Sequence, residues 1–182
     1  MRFGVRFTYR VQERPAGIAD ALLLADGFID DEVAIILGDN IFEHTDVFQR
    51  GVSAYLARNR PPGAHIFLKQ VPDPERFGIA EIVGNELRRI VEKPREFIGP
   101  YAVTGLYLLD HRCFEIARGQ KPSARGELEI TDVLNVYLAR NELKWTKLDG
   151  FWSDAGQVES LFRATLWARE QRVRASPVIS GG

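Results

Sequence analysis

One cysteine, one methionine and almost no net charge mark this chain of 182 residues. The lone Cys113 rules out an intrachain disulfide and by itself says nothing about a metal. Lys and Arg number 24 against 25 Asp and Glu, a formal charge of -1. The basic excess of a nucleic-acid or polyanion binder is therefore missing. No apolar run approaches the roughly 18 residues of a membrane span; the longest strand-like run covers 33–37. Met1-Arg2-Phe3-Gly4-Val5-Arg6 has no hydrophobic stretch of the signal-peptide kind, so a cytoplasmic protein is the expectation. The histidines, His44, His65 and His111, have no metal-ligand spacing and no nucleophile partner. No Ser, Cys or Thr stands in a nucleophile elbow, and there is no internal repeat, low-complexity tract or linker.

What is present is an alternation of two periods. Val33-Ala34-Ile35-Ile36-Leu37, closed by Gly38-Asp39-Asn40, reads as a strand buried on both faces, as in a parallel sheet. Ile18, Ala21, Leu22 and Ala25 recur at helical spacing before it, and Phe48, Gly51, Val52, Tyr55 and Leu56 after it. Arg60-Pro61-Pro62-Gly63 breaks the chain, and 65–68 reads as the next strand. This order belongs to an α/β layer fold. Segments 79–83 and 87–91 flank Gly84-Asn85-Glu86 as a β-hairpin, and 101–109 is a further strand. Ile130, Val133, Leu134, Tyr137 and Leu138 predict a helix with Thr131 and Asp132 as caps. A last strand over 143–148 and a helix carrying Val158, Leu161, Phe162, Thr165 and Leu166 complete the series. Residues 176–182 are expected to be a frayed, flexible tail, leaving one domain over 1–175.

Several side chains invite chemistry and have plainer alternatives. Asp39 follows a strand, where ligands of open α/β sheets bind. It could hold a divalent cation, a hard ion that takes oxygen ligands, or merely hydrogen-bond its own turn. Asp154, in Phe151-Trp152-Ser153-Asp154-Ala155-Gly156, could cap the last helix or share that cation. Lys93, in Glu92-Lys93-Pro94, could meet an anionic substrate or stand solvated beside Glu92. Arg125 precedes the helix of 130–138. That placement opposes the helix dipole unless an anion shares it, a hint of phosphate.

Taken together, the segments resemble the bacterial sugar-1-phosphate nucleotidylyltransferases. The resemblance is carried, in order, by Gln12-Glu13-Arg14-Pro15-Ala16-Gly17-Ile18-Ala19-Asp20-Ala21, Leu37-Gly38-Asp39-Asn40-Ile41-Phe42 and Asp73-Pro74-Glu75-Arg76-Phe77-Gly78. Val91-Glu92-Lys93-Pro94, Tyr101-Ala102-Val103-Thr104-Gly105-Leu106-Tyr107, Ser123-Ala124-Arg125-Gly126-Glu127-Leu128-Glu129-Ile130-Thr131-Asp132 and Trp152-Ser153-Asp154-Ala155-Gly156 continue it. The likeness runs from about Phe7 to about Arg172 and is nearest to members that join dTTP and glucose 1-phosphate.

The resemblance implies a Rossmann-like mixed sheet with an inserted antiparallel sugar-binding portion. It implies a Mg²⁺-dependent thymidylyl transfer giving dTDP-glucose and pyrophosphate, in a dTDP-rhamnose or deoxysugar route. By the same likeness Asp39 and Asp154 would hold Mg²⁺. Gln12 and Gly17 would contact the pyrimidine, Gly78, Glu92 and Val103 the sugar, and Lys93 and Arg125 the sugar phosphate, with Tyr107 and Trp152 walling the pocket. Asp39, Asp154, Lys93 and Arg125 form the implied catalytic set, and a homo-oligomer, tetrameric in the family, is implied too. Ser153 departs from the Asp or Leu usual beside the second aspartate.

The family's opening strand and its Gly-x-Gly-Thr-Arg-Leu-x-Pro loop, which wraps the triphosphate, have no counterpart. No Gly-x-Gly occurs in the chain. The expectation is a fold missing its first βα unit, a fragment of impaired activity alone. A catalytically inactive sugar-phosphate-binding or assembly subunit, and a uridylyltransferase acting on a related sugar 1-phosphate, stand as alternatives.

Overall fold

The computed structural model describes residue 4 and residues 6–175; residues 176–182, the expected tail, lie outside the described residues. A six-stranded mixed sheet forms the centre. Its members are β1 (Val33–Ile36), β3 (Ala64–Gln70), β4 (Gly78–Val83), β5 (Glu86–Glu92), β6 (Tyr101–Leu109) and β7 (Leu143–Lys147). The strands run β5-β4-β6-β3-β7, and β1 shares with β4 one edge of the long β6. A separate ribbon pairs β2 (Asn40–Phe42) with β8 (Trp152–Asp154). Among the described residues no helix is long and apolar enough to cross a membrane.

Side-chain alternation along β3 and β6 builds the core on both faces of the sheet. Ile66, Leu68, Val103, Tyr107 and Leu109 join one cluster, while Phe67, Leu106 and Leu108 join another. Helices α1 (Ile18–Leu23), α3 (Cys113–Arg118) and α4 (Ile130–Ala139) cover the first face through Leu22, Phe114, Val133, Leu134 and Tyr137. On the other face, α2 (Asp46–Leu56) brings Tyr55, Phe48 and Val52. The Thr45 hydroxyl caps α2 by accepting from the Phe48 amide. The last helix, α5 (Val158–Ala175), lies against β8.

Two expectations are corrected, and one of the two alternatives for Asp154 is removed. The run at 33–37 is neither parallel nor buried on both faces. It pairs antiparallel with β6, and Ile36 is 63% exposed. The reason is topological: β6 runs counter to both β1 and β3, which flank it, and the parallel pair falls instead between β3 and β7. Thr131 and Asp132 do not cap α4. Extended Glu129 precedes the helix without a side-chain cap, and Thr131 is buried within the first turn. Asp154 does not cap α5. It ends β8 opposite Asn40, short of the helix start at Val158.

Candidate active site

The β2–β8 ribbon places the two aspartates side by side. Asn40 pairs with Asp154 across the ribbon, and the Ala155 amide donates to the Asp39 carbonyl at 2.6 Å. Asn40 then locks this ribbon to the sheet. Its Oδ1 accepts from the Gly105 amide of β6 (2.9 Å) and from Trp152 Nε1 (2.8 Å), while its Nδ2 donates to Asp39 Oδ1. Gly105 is required at that contact, because a Cβ there would lie 2.6 Å from the Asn40 amide.

A cleft of about 280 Å³ opens beside the ribbon. Asp39, Gly78, Glu92, Lys93, Val103, Tyr107, Arg125, Trp152 and Asp154 all line it, although they are drawn from segments more than a hundred residues apart. The end of β5 away from the hairpin turn supplies Glu92, and Lys93 follows with φ 41. Left-handed backbone costs an ordinary residue about 1–2 kcal/mol. Here it is held by the Lys93 amide donating to Phe77 O at 2.9 Å, and it turns the chain at the rim of the cleft.

Charges in the cleft are strongly mixed. Arg125 donates to Glu92 (3.3 Å) and Glu127 (2.9 Å), with Glu129 at 3.5 Å. Burial pushes the Glu92 carboxyl up, the nearby Glu129 adds to this, and Lys93 and Arg125 oppose it. Tyr107 is 4% exposed. Burial raises its phenol well above the usual range, helped by the charges of Glu92 and Asp39. Burial also raises Asp154, against the pull of Arg76 and with repulsion from Asp39 and Asp73. The Trp152 ring takes the Phe77 ring edge-on at 5.5 Å.

Gln12 and Gly17 are not in this cleft. The Gln12 amide donates to Gly17 O (3.1 Å) and Asp20 Oδ2 (2.7 Å), and the residue lines a separate groove beside Phe28. Gly17 opens α1 with φ 103, where a Cβ would collide with the Leu128 carbonyl at 2.2 Å. Sequence reasoning overlooked Arg76, Asn40, Glu129 and Thr131, which also line the cleft. For Arg76 a local signal existed, since its i,i+3 spacing from Asp73 makes an ion pair. For Asn40 there was none, because the groups that donate to its Oδ1, on Gly105 and Trp152, are remote in sequence.

Among the described residues no three His, Cys, Asp or Glu side chains gather as a metal cluster. Asp39 and Asp154 nonetheless offer two hard oxygen donors in adjacent positions at the cleft. That suits a cation whose other ligands are water and substrate phosphate oxygens.

A family model described as nucleotidyl transferase matches residues 1–171. A glucose-1-phosphate thymidylyltransferase of Neisseria meningitidis is 44% identical over 168 residues, covering 89% of this chain and 57% of the relative. One from Mycobacterium tuberculosis is 38% identical over 182 residues, covering 97% and 62%. The chain thus spans little more than half the length of these curated relatives. A Bacillus anthracis protein described as a glucose-1-phosphate thymidylyltransferase, crystallised with a sucrose, superposes with a TM-score of 0.82 at 48% identity, covering 92% of this chain and 67% of that one. A UDP-glucose pyrophosphorylase with UDP-glucose gives 0.77 at 25% identity, covering 91% and 66%.

Proposed function

Because this chain belongs to the nucleotidyl transferase family, we propose that it serves the Mg²⁺-dependent transfer of a thymidylyl group from dTTP to glucose 1-phosphate. The observation that carries the reading is the convergence of Asp39, Asp154, Glu92, Lys93 and Arg125 on one cleft. It is supported by relatives of the same described activity. We take 1–175 as a single nucleotidyltransferase domain and the working form as a homo-oligomer.

The chemistry needs no covalent nucleophile on the protein. A phosphate oxygen of glucose 1-phosphate bonds to the α-phosphorus of dTTP, the bond to the β-phosphate oxygen breaks, and pyrophosphate leaves with the electron pair. The protein's task is positioning and charge neutralisation. Lys93 and Arg125 face the sugar phosphate. Arriving phosphate competes with Glu92, Glu127 and Glu129 for the guanidinium, which keeps Arg125 oriented before substrate binds. Glu92 accepts from sugar hydroxyls, Gly78 and Val103 leave room for the ring, and Tyr107 and Trp152 exclude water from its sides. Asp39 and Asp154 hold Mg²⁺, which when bound neutralises the crowded phosphate oxygens. Gln12 can both donate to and accept from a pyrimidine once its amide is released from Asp20 and Gly17.

Calorimetric titration with glucose 1-phosphate in Mg²⁺ tests the reading. Arg125→Ala should weaken binding about tenfold or more, the loss of a charge-assisted contact. Asp39→Asn should abolish any pyrophosphate released on adding dTTP. No heat of binding at saturating glucose 1-phosphate would sink the reading. Binding by the wild-type chain without turnover would fit both a chain of impaired activity alone and a sugar-phosphate-binding subunit.

A further inference from the structure

Among the described residues three cations line the cleft, and Arg76 is the one the mechanism above leaves without a task. Its guanidinium is divided between two carboxylates. Nη1 donates to Asp73 Oδ2 at 2.7 Å and Nη2 to Asp154 Oδ2 at 2.6 Å. The first partner is local, three residues back, and the second comes from β8. The Arg76 side chain is only 23% exposed and lies 5.0 Å from the Phe77 ring centre.

These contacts have an electrostatic consequence. Asp154 is partly buried and shares its surroundings with Asp39 and Asp73, so a bare carboxylate there would be repelled from both. Arg76 supplies the compensating charge and, as a guanidinium, cannot lose its proton. A divalent cation between Asp39 and Asp154 would claim the same Asp154 carboxylate and repel the guanidinium.

Granting that Asp39 and Asp154 hold the cation, as proposed above, we propose that Arg76 is a displaceable counter-cation that competes with the divalent ion for Asp154 and keeps Asp73 as its anchor when displaced. Arg76 is then a positioning residue that sets the ion concentration at which the site loads. The local pair with Asp73 matters because it retains the guanidinium near the site, ready to return when the ion leaves.

The test is binding of Mn²⁺ as a probe ion, read from the resonance signal of the free ion, on the full chain. Arg76→Gln keeps a hydrogen-bonding side chain and removes the charge. It should bind Mn²⁺ about fivefold tighter or more, which is about 1 kcal/mol. Its melting temperature should fall in chelator and recover with added ion. Asp73→Asn removes the resting place, so Arg76 should hold Asp154 harder and Mn²⁺ should bind several-fold more weakly. In the Arg76→Gln background Asp73→Asn should change Mn²⁺ affinity far less than it does in the wild type, because Asp73 acts by holding Arg76; an equal weakening in both backgrounds would be a plain charge effect and overturns the proposal. Arg76→Gln binding no tighter than wild type overturns the proposal. If that variant does not fold, Asp73→Asn binding no more weakly overturns it instead. A separate control is Asp39→Asn: unchanged Mn²⁺ affinity there would mean that the metal reading itself is wrong, whatever Arg76 does.

Discussion

His65 shows how burial changes a single residue's chemistry. The sequence offered it no metal spacing and no catalytic partner, leaving surface or core. The structure puts it in the core at 7% exposure, with Nε2 2.9 Å from Thr146 Oγ1 and the ring 5.1 Å from Phe67. Burial, with Arg60 nearby, lowers its pKa from 6.5 to about 4. The unfolded chain therefore binds a proton that the folded chain refuses between those values. The contribution to stability is complete above pH 6.5 and is lost as pH falls towards 4, at most about 3 kcal/mol. Thermal melts across this range should show wild type falling more steeply with acid than His65→Gln; parallel slopes would contradict the assignment. Lys93 makes the complementary point. Its type and its place after Glu92 were readable, but its left-handed backbone, held by Phe77 O, depends on a neighbouring strand end.

At the level of elements, the strands and helices with strong periodicity were legible and the shortest were not. The strand over 101–109 and the hairpin around Gly84 appear where the pattern put them. The ribbon of β2 and β8 did not announce itself, because three residues on each side are too few for an alternation to register. Yet it ends on Asp154 and follows directly on Asp39, and one side chain secures it. Removing the Asn40 amide would leave the Gly105 amide and the Trp152 indole N–H without their acceptor. Asn40→Ala should therefore cost about 2 kcal/mol in urea unfolding, while Asn40→Asp, which keeps the accepting oxygen but turns a carboxylate oxygen instead of a donor on Asp39, should recover only part of it. A loss in Asn40→Ala below about 0.5 kcal/mol would show that the ribbon is held by other contacts.

For the whole molecule, the cleft draws its lining from Ile18 in α1 to Asp154 in β8. Ligand bound there ties α1, β2, β4, β5, β6, α4 and β8 together and should be felt in global unfolding. Glucose 1-phosphate with Mg²⁺ at a hundred times its Kd should stabilise the folded state by about 2.7 kcal/mol. The melting temperature should rise by roughly 5–10 °C in one transition. A second, unshifted transition would show that part of the chain unfolds independently of the cleft.

The sequence by itself determined the α/β class, most elements, the membership in a family and the residue types available for binding a sugar phosphate and a cation. Periodicity and local motifs carry that information because each is written within about a dozen neighbouring positions. The tertiary structure decided what depends on contacts between distant segments. It turned the run at 33–37 into a half-exposed antiparallel strand, set Gln12 beside a groove separate from the cleft, and left Asp154 at a strand end, short of the last helix. It also set Arg76 against Asp154, 78 residues away. Such pairings are fixed by where the sheet closes and how its edges register, and no local pattern of residues encodes that distance.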